Sequence, residues 1–118
     1  MNQEIEYDER IKCLEWESQF YSFLLAVSIE QLLEIDNALQ ISVNQARMDL
    51  ILSKQIIPVY VKKETDYKIM ILLKNNYDVF LLDYFCGYQK TIPEQNELDI
   101  IKAWCENKKI ILSNGVRL

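Results

Sequence analysis

Histidine is missing altogether from these 118 residues. With it go the commonest general base, the commonest metal ligand and the one side chain that titrates unperturbed near neutral pH. Glycine occurs only at Gly87 and Gly115, so neither a phosphate-cradling Walker loop nor a dinucleotide fingerprint can be assembled. The three cysteines, Cys13, Cys86 and Cys105, are odd in number and far apart, and none forms a Cys-x-x-Cys pair, which predicts free thiols. No Asp-x-Asp-x-Asp-Gly calcium loop occurs, and neither a metal nor a cofactor is expected. No run approaches the roughly 18–20 apolar residues of a membrane span. The N-terminus, Met1-Asn2-Gln3-Glu4-Ile5-Glu6, lacks the basic start and apolar stretch of an export signal. The expectation is a cytoplasmic chain without a membrane partner.

What is present is apolar enough for one core: half the residues are hydrophobic, which predicts a single α+β domain over 1–118. Cys13, Trp16, Phe20, Leu24 and Val27 recur at spacings of three and four, widened by Ile11, Leu14, Tyr21 and Leu25, and predict a long helix over 4–27. Ser28-Ile29-Glu30-Gln31 has capping-box spacing and opens a second helix carrying Ile29, Leu32, Leu33, Ile35 and Leu39 inward, ending near Gln40 or Ile41. Ser42-Val43-Asn44-Gln45 repeats the spacing for a third helix.

The period then changes to two. Ile57, Val59 and Val61 share one face of a strand in which Pro58, lacking an amide donor, belongs at an edge or a strand start. After a turn at Lys63-Glu64-Thr65-Asp66, runs 67–74 and 77–85 form a hairpin about Asn75-Asn76. That register pairs Lys68 with Asp83, Tyr67 with Tyr84, Leu72 with Val79 and Met70 with Leu81. Thr91-Ile92-Pro93-Glu94 opens a last helix with Leu98, Ile101, Trp104 and Cys105 inward, and a short strand follows at 110–113. The expected fold is three N-terminal helices, an antiparallel three-stranded meander with a central hairpin, a C-terminal helix and a short final strand.

Asp36, Asp49, Asp78 and Asp83 lie nearest apolar stretches, but no pattern makes two of them converge, and solvated or capping roles are the expectation. Cys86, at a strand end, would need lysine or a helix end to activate it and reads as an inert thiol. The chain is not expected to be an enzyme.

Charge is unevenly spread: residues 1–49 hold ten acidic and three basic side chains, residues 50–118 eight and ten. Such a surface repels nucleic acid and suits a basic protein partner. Asp8, Glu9, Glu15, Glu17, Glu30, Glu34 and Asp36 are the predicted partner-binding residues, on one acidic helical face. The sheet is predicted apolar on both sides, Tyr67, Ile69, Ile71, Leu73, Phe80, Leu82 and Tyr84 on one and Met70, Leu72, Tyr77, Val79 and Leu81 on the other. The second set needs the last helix, a partner or a second copy of the chain to cover it, and is the candidate dimer face. The composition fits an inhibitor or immunity-type protein that occludes the active site of a basic toxin or nuclease. The alternatives are a homodimeric regulatory or scaffold protein and a phage anti-defence protein mimicking nucleic acid.

Overall fold

A computed structural model describes residues 3–42 and 44–118. Met1, Asn2 and Val43, which figure in the N-terminal and third-helix expectations, lie outside the described residues. The elements in chain order are α1 (Glu9–Lys12), β1 (Trp16–Glu17), β2 (Tyr21–Leu25), α2 (Ile29–Ala38), α3 (Gln45–Leu52), β3 (Ile56–Lys63), β4 (Asp66–Asn76), β5 (Val79–Cys86), a 3-10 turn at Tyr88–Lys90, α4 (Gln95–Lys108) and β6 (Ile111–Leu112). The strands form one curled sheet in sequence order, antiparallel throughout except for β5 with β6.

This overturns the expected fold: among the described residues the sheet is a six-stranded mixed one rather than an antiparallel three-stranded meander, and it is not preceded by three helices. The predicted helix over 4–27 is a one-turn helix followed by a β-hairpin, β1–β2. Residues 21–25 also alternate with period two, and Tyr21, Phe23 and Leu25 are the ones buried. β3 supplies the ladder, pairing Phe23 with Val61 and Leu25 with Val59, and the local helical pattern yields to this long-range pairing. Phe20, Val27 and Cys13, three of the five residues of the supposed helical stripe, are exposed.

Both sheet faces are covered, so the strands read as almost continuous apolar runs. Phe23, Val59, Val61, Ile69, Ile71 and Leu82 pack under α4 and beside α1, around Trp104, whose ring stacks on Phe23 at 4.8 Å and whose Nε1 donates to Leu14 O at 2.8 Å. On the opposite face Tyr60, Met70, Leu72 and Cys86 pack against Leu32, Ile35 and Leu39 of α2 and Ile51 of α3. Two helices therefore cover Met70 and Leu72, the centre of the face expected to seek a second copy.

The β4–β5 hairpin exists, but Asn75 and Asn76 are strand residues and the two-residue turn is Tyr77-Asp78, with Tyr77 at φ 50°. Asn75 is held in the strand by its neighbours: its amide donates to Gln55 O, its Nδ2 to Lys54 O at 3.0 Å, and its Oδ1 accepts from Arg10 Nη1 at 2.7 Å. The register is corrected accordingly, with Asn76 opposite Val79, Leu73 opposite Leu82 and Leu72 opposite Tyr84. Asp83 is the extra residue of a bulge on β5, and Lys68 is the extra residue of a second bulge where β3 meets β4. The two residues expected to face one another thus both fall where pairing breaks, and no ion pair joins them. Each bulge flips the inward face: Phe80 and Leu82 point to the α4 side, whereas Cys86 points to the α2–α3 side.

The second helix begins where expected, with Ser28 Oγ accepting from Gln31 N at 3.0 Å. For α3 the cap is Asn44 rather than Ser42, its Oδ1 accepting from Arg47 N at 2.8 Å. For α4 it is Glu94 rather than Thr91, with Glu94 N donating to Glu97 Oε1 at 2.9 Å. Pro58 lies in the part of β3 that β2 does not reach, so its missing donor interrupts no β2–β3 pairing.

Candidate protein-interaction site

The N-terminal segment lies alongside the start of α2: Ile5 N donates to Val27 O and Ile29 N to Gln3 O, each at 2.9 Å. The chain then turns through α1, and Glu15 comes back against the end of β2, where its Oε2 accepts from Leu25 N at 3.1 Å. Between these strips lies a cleft of about 460 Å³ walled by Glu6, Tyr7, Lys12, Glu15 and Val27. The Tyr7 hydroxyl is buried without a hydrogen-bond partner, and burial, with the Glu15 charge adding to it, pushes its pKa up to about 12. Lys12 leans toward Glu9 at 3.8 Å, the single ion pair among the described residues, so Glu6 and Glu15 have no cation within bonding reach.

Val27 carries this cleft onto the outer face of α2. Glu30, Leu33, Glu34 and Asn37 recur at spacings of three and four and all are exposed, while Leu32 and Ile35 take the inward stripe. Val27 is 64% exposed and Leu33 51%. The exposed residues of α2 thus interleave the carboxylates of Glu30 and Glu34 with the aliphatic Leu33.

The predicted acidic residues do not share one helical face. Asp8 caps α1, accepting from Ile11 N at 2.9 Å, and Glu9 lies exposed on that helix, on the α4 side of the sheet. Glu17 is on the edge strand β1, opposite Ser22. Glu30 and Glu34 lie on α2, on the other side of the sheet. Glu15 lines the cleft with Glu6 and Val27, and Val27 lies two residues before the start of α2. Tyr7, Val27 and Leu33 escape the sequence reading, which places Val27 and Leu33 inward on apolarity alone.

Asp36 requires correction. It is only 3% exposed, wedged between α2 and β3 with Tyr60 Oη donating to its Oδ1 at 3.0 Å and its Oδ2 without a partner. Burial raises its pKa to about 6 against the opposing pull of the Tyr60 hydrogen bond and of Arg47. The candidate dimer face is corrected too. Met70 and Leu72 are core residues beneath α2 and α3, Val79 and Leu81 are half-buried, and only Tyr77, at the hairpin turn, stands clear at 91% exposure.

No reactive constellation emerges around the remaining candidates. Asp49 accepts from Gln45 Nε2 at 2.8 Å on the surface of α3, Asp78 sits in the hairpin turn and Asp83 in the bulge. Cys86 is buried, and burial holds its thiol above the ordinary value in spite of Tyr84, Lys90 and Arg47 nearby. Among the described residues no three acidic or thiol groups gather as metal ligands, and no helix is long and apolar enough to cross a membrane. Comparison with protein-family models, curated proteins and solved structures finds no match to this chain.

Proposed function

We propose that this domain binds a basic protein through the surface formed by the Glu6–Glu15 cleft, Val27 and the outer face of α2, and that it acts as an inhibitor of the immunity type, covering the basic active-site groove of a toxin or nuclease. The observation that carries the reading is a set of carboxylates left without internal cations, Glu6, Glu15, Glu30 and Glu34, around two exposed aliphatic side chains, Val27 and Leu33. Protein interfaces draw affinity from a few desolvated apolar contacts, while surrounding charges set approach and register. Unpaired carboxylates steer a cationic partner and lose strength as salt rises, over a screening length of about 8 Å at physiological ionic strength.

The test is capture of partners by the tagged protein from its native host at low and moderate salt, repeated with two variants. Reversing Glu30 and Glu34 to lysine inverts the charge of exposed side chains that make no described hydrogen bond, at a cost of about 0.3–1 kcal/mol for Glu30 in the first turn of α2, and circular dichroism checks that the variant is folded. Glu15 is a poor choice because it accepts from the Leu25 amide. The expected result is a basic protein that is lost on raising salt, lost in the double reversal, and weakened by Leu33→Ser. Capture that is indifferent to both variants would refute this surface.

A further inference from the structure

A second cleft, of about 340 Å³, lies on the α4 side of the sheet, where α1, the β4–β5 turn and the end of α4 converge. Its charge is opposite to that of the first. In a chain of net charge −5, it gathers Arg10, Lys108 and Lys109, and the one carboxylate lining it, Asp78, lies beyond ion-pair distance of all three. The remaining walls are apolar, chiefly Leu14 and Phe80, with the exposed thiol of Cys13 at the margin.

Arg10 is held in place. Its Nη1 donates to Asn75 Oδ1 at 2.7 Å, and its guanidinium carbon lies 3.9 Å from the centre of the Phe80 ring. Asn75 is in turn tied to Lys54 and Gln55 by the bonds described above. The guanidinium is thus oriented by residues distant in sequence, Asn75 being 65 positions away, and its Nη2 is buried without an acceptor. A guanidinium kept in one geometry loses little entropy on binding an anion, and its fork matches carboxylate and phosphate oxygens. Lys108 and Lys109 also complement the carbonyl end of α4, but that end does not neutralise Arg10, which lines the cleft without a carboxylate within ion-pair distance.

We propose that this cleft binds a small organic anion, a carboxylate or phosphate carried on an aromatic or aliphatic group. The anionic head meets Arg10 and the two lysines, and the apolar body lies against Leu14 and Phe80. A volume of about 340 Å³ is at the lower end of ligand pockets, the size of a monocyclic acid rather than a nucleotide.

Cys13 provides the readout, because Cys86 and Cys105 are buried. The full chain is alkylated with iodoacetamide, and modification of Cys13 is followed by intact mass with benzoate, phenyl phosphate, benzamide or inorganic phosphate added. The expected result is saturable protection, about 3- to 10-fold in rate, by benzoate or phenyl phosphate, with benzamide and inorganic phosphate weaker at equal concentration. Whichever anion protects identifies the preferred head group. Protection is expected to vanish in Lys108→Gln/Lys109→Gln, whose exposed or half-buried side chains are not needed for folding. Arg10→Gln should abolish it too, but that change removes a bond to Asn75 and can unfold the hairpin, so the lysine variant decides. The proposal is overturned if neither aromatic anion protects, if benzamide protects as well as benzoate, or if the lysine variant is protected like the parent.

Discussion

Asp36 makes the stability of this domain fall as pH rises through the weakly acidic range. Its carboxyl lies between α2 and β3 with one oxygen on Tyr60 and the other on nothing, and burial raises its pKa from 3.8 to about 6. In the unfolded chain the group loses its proton near pH 3.8, whereas in the folded chain it keeps it to about pH 6. Across that interval the native state binds more protons, so stability is highest below the unfolded pKa and is lost as pH rises through the folded one. A difference of about two units corresponds to about 3 kcal/mol. Asp36→Asn cannot ionise, keeps an acceptor for Tyr60, and has an amide in place of the orphan oxygen whose cost does not depend on pH. Urea unfolding followed by tryptophan fluorescence, for parent and variant from pH 4 to 7.5, isolates the effect. The stability of the variant relative to the parent should climb by about 2–2.5 kcal/mol between pH 4 and 7, the rest of the effect lying below pH 4. With a denaturant slope of about 1.5–2 kcal/mol/M for a chain this size, that is a relative midpoint shift of roughly 1–1.5 M. A difference that stays constant with pH, or falls as pH rises, would refute the reasoning.

Removing the Tyr60 hydroxyl with Tyr60→Phe takes away the donor that favours the ionised form, so the fall in stability should move to higher pH, as the same unfolding series would show. Trp104→Phe leaves the carbonyl of Leu14 buried without its donor and should cost about 1–3 kcal/mol in urea unfolding at fixed pH. Tyr77 holds a left-handed φ of 50° with its ring in solvent, so Tyr77→Gly should raise stability by about 0.5–1 kcal/mol, and thermal unfolding that shows a loss would count against the Tyr77-Asp78 turn. With a chromogenic thiol reagent, one cysteine, Cys13, should react rapidly in the native protein and the other two only on unfolding; three fast thiols would contradict the burial of Cys86 and Cys105.

Much of the local structure is written in neighbouring residues. Ser28 with Gln31 starts α2 because a hydroxyl next to a free amide one turn on needs nothing from elsewhere. The stripe of Ile101, Trp104 and Cys105 makes α4 by the same local logic, and Glu64 and Thr65 turn β3 into β4 where the apolar alternation stops. The absence of histidine and the scarcity of glycine likewise exclude whole classes of chemistry before any fold is known. The acidic excess near the N-terminus is legible too, and so is Glu30 with Glu34 on one side of a helix.

Tertiary structure decided the rest, because the deciding partners lie far along the chain. Residues 21–25 satisfy a helical and a strand period together, and only the ladder with Val59 and Val61 breaks the tie. Bulges at Lys68 and Asp83 reverse which side chains point inward, so an alternation correct within each stretch is carried to the wrong face beyond it. Asp36 looks like a surface acid from its charge, yet α2 turns it onto Tyr60, 24 residues away. The two clefts arise in the same way, Glu15 meeting Val27 across one fold of the chain and Arg10 meeting Lys109 across another. Residue type and short spacing act through the backbone's own hydrogen bonds and are present in any stretch of sequence. Which face is buried, and which charges are left to meet a ligand, depends on packing that exists only once the sheet has formed.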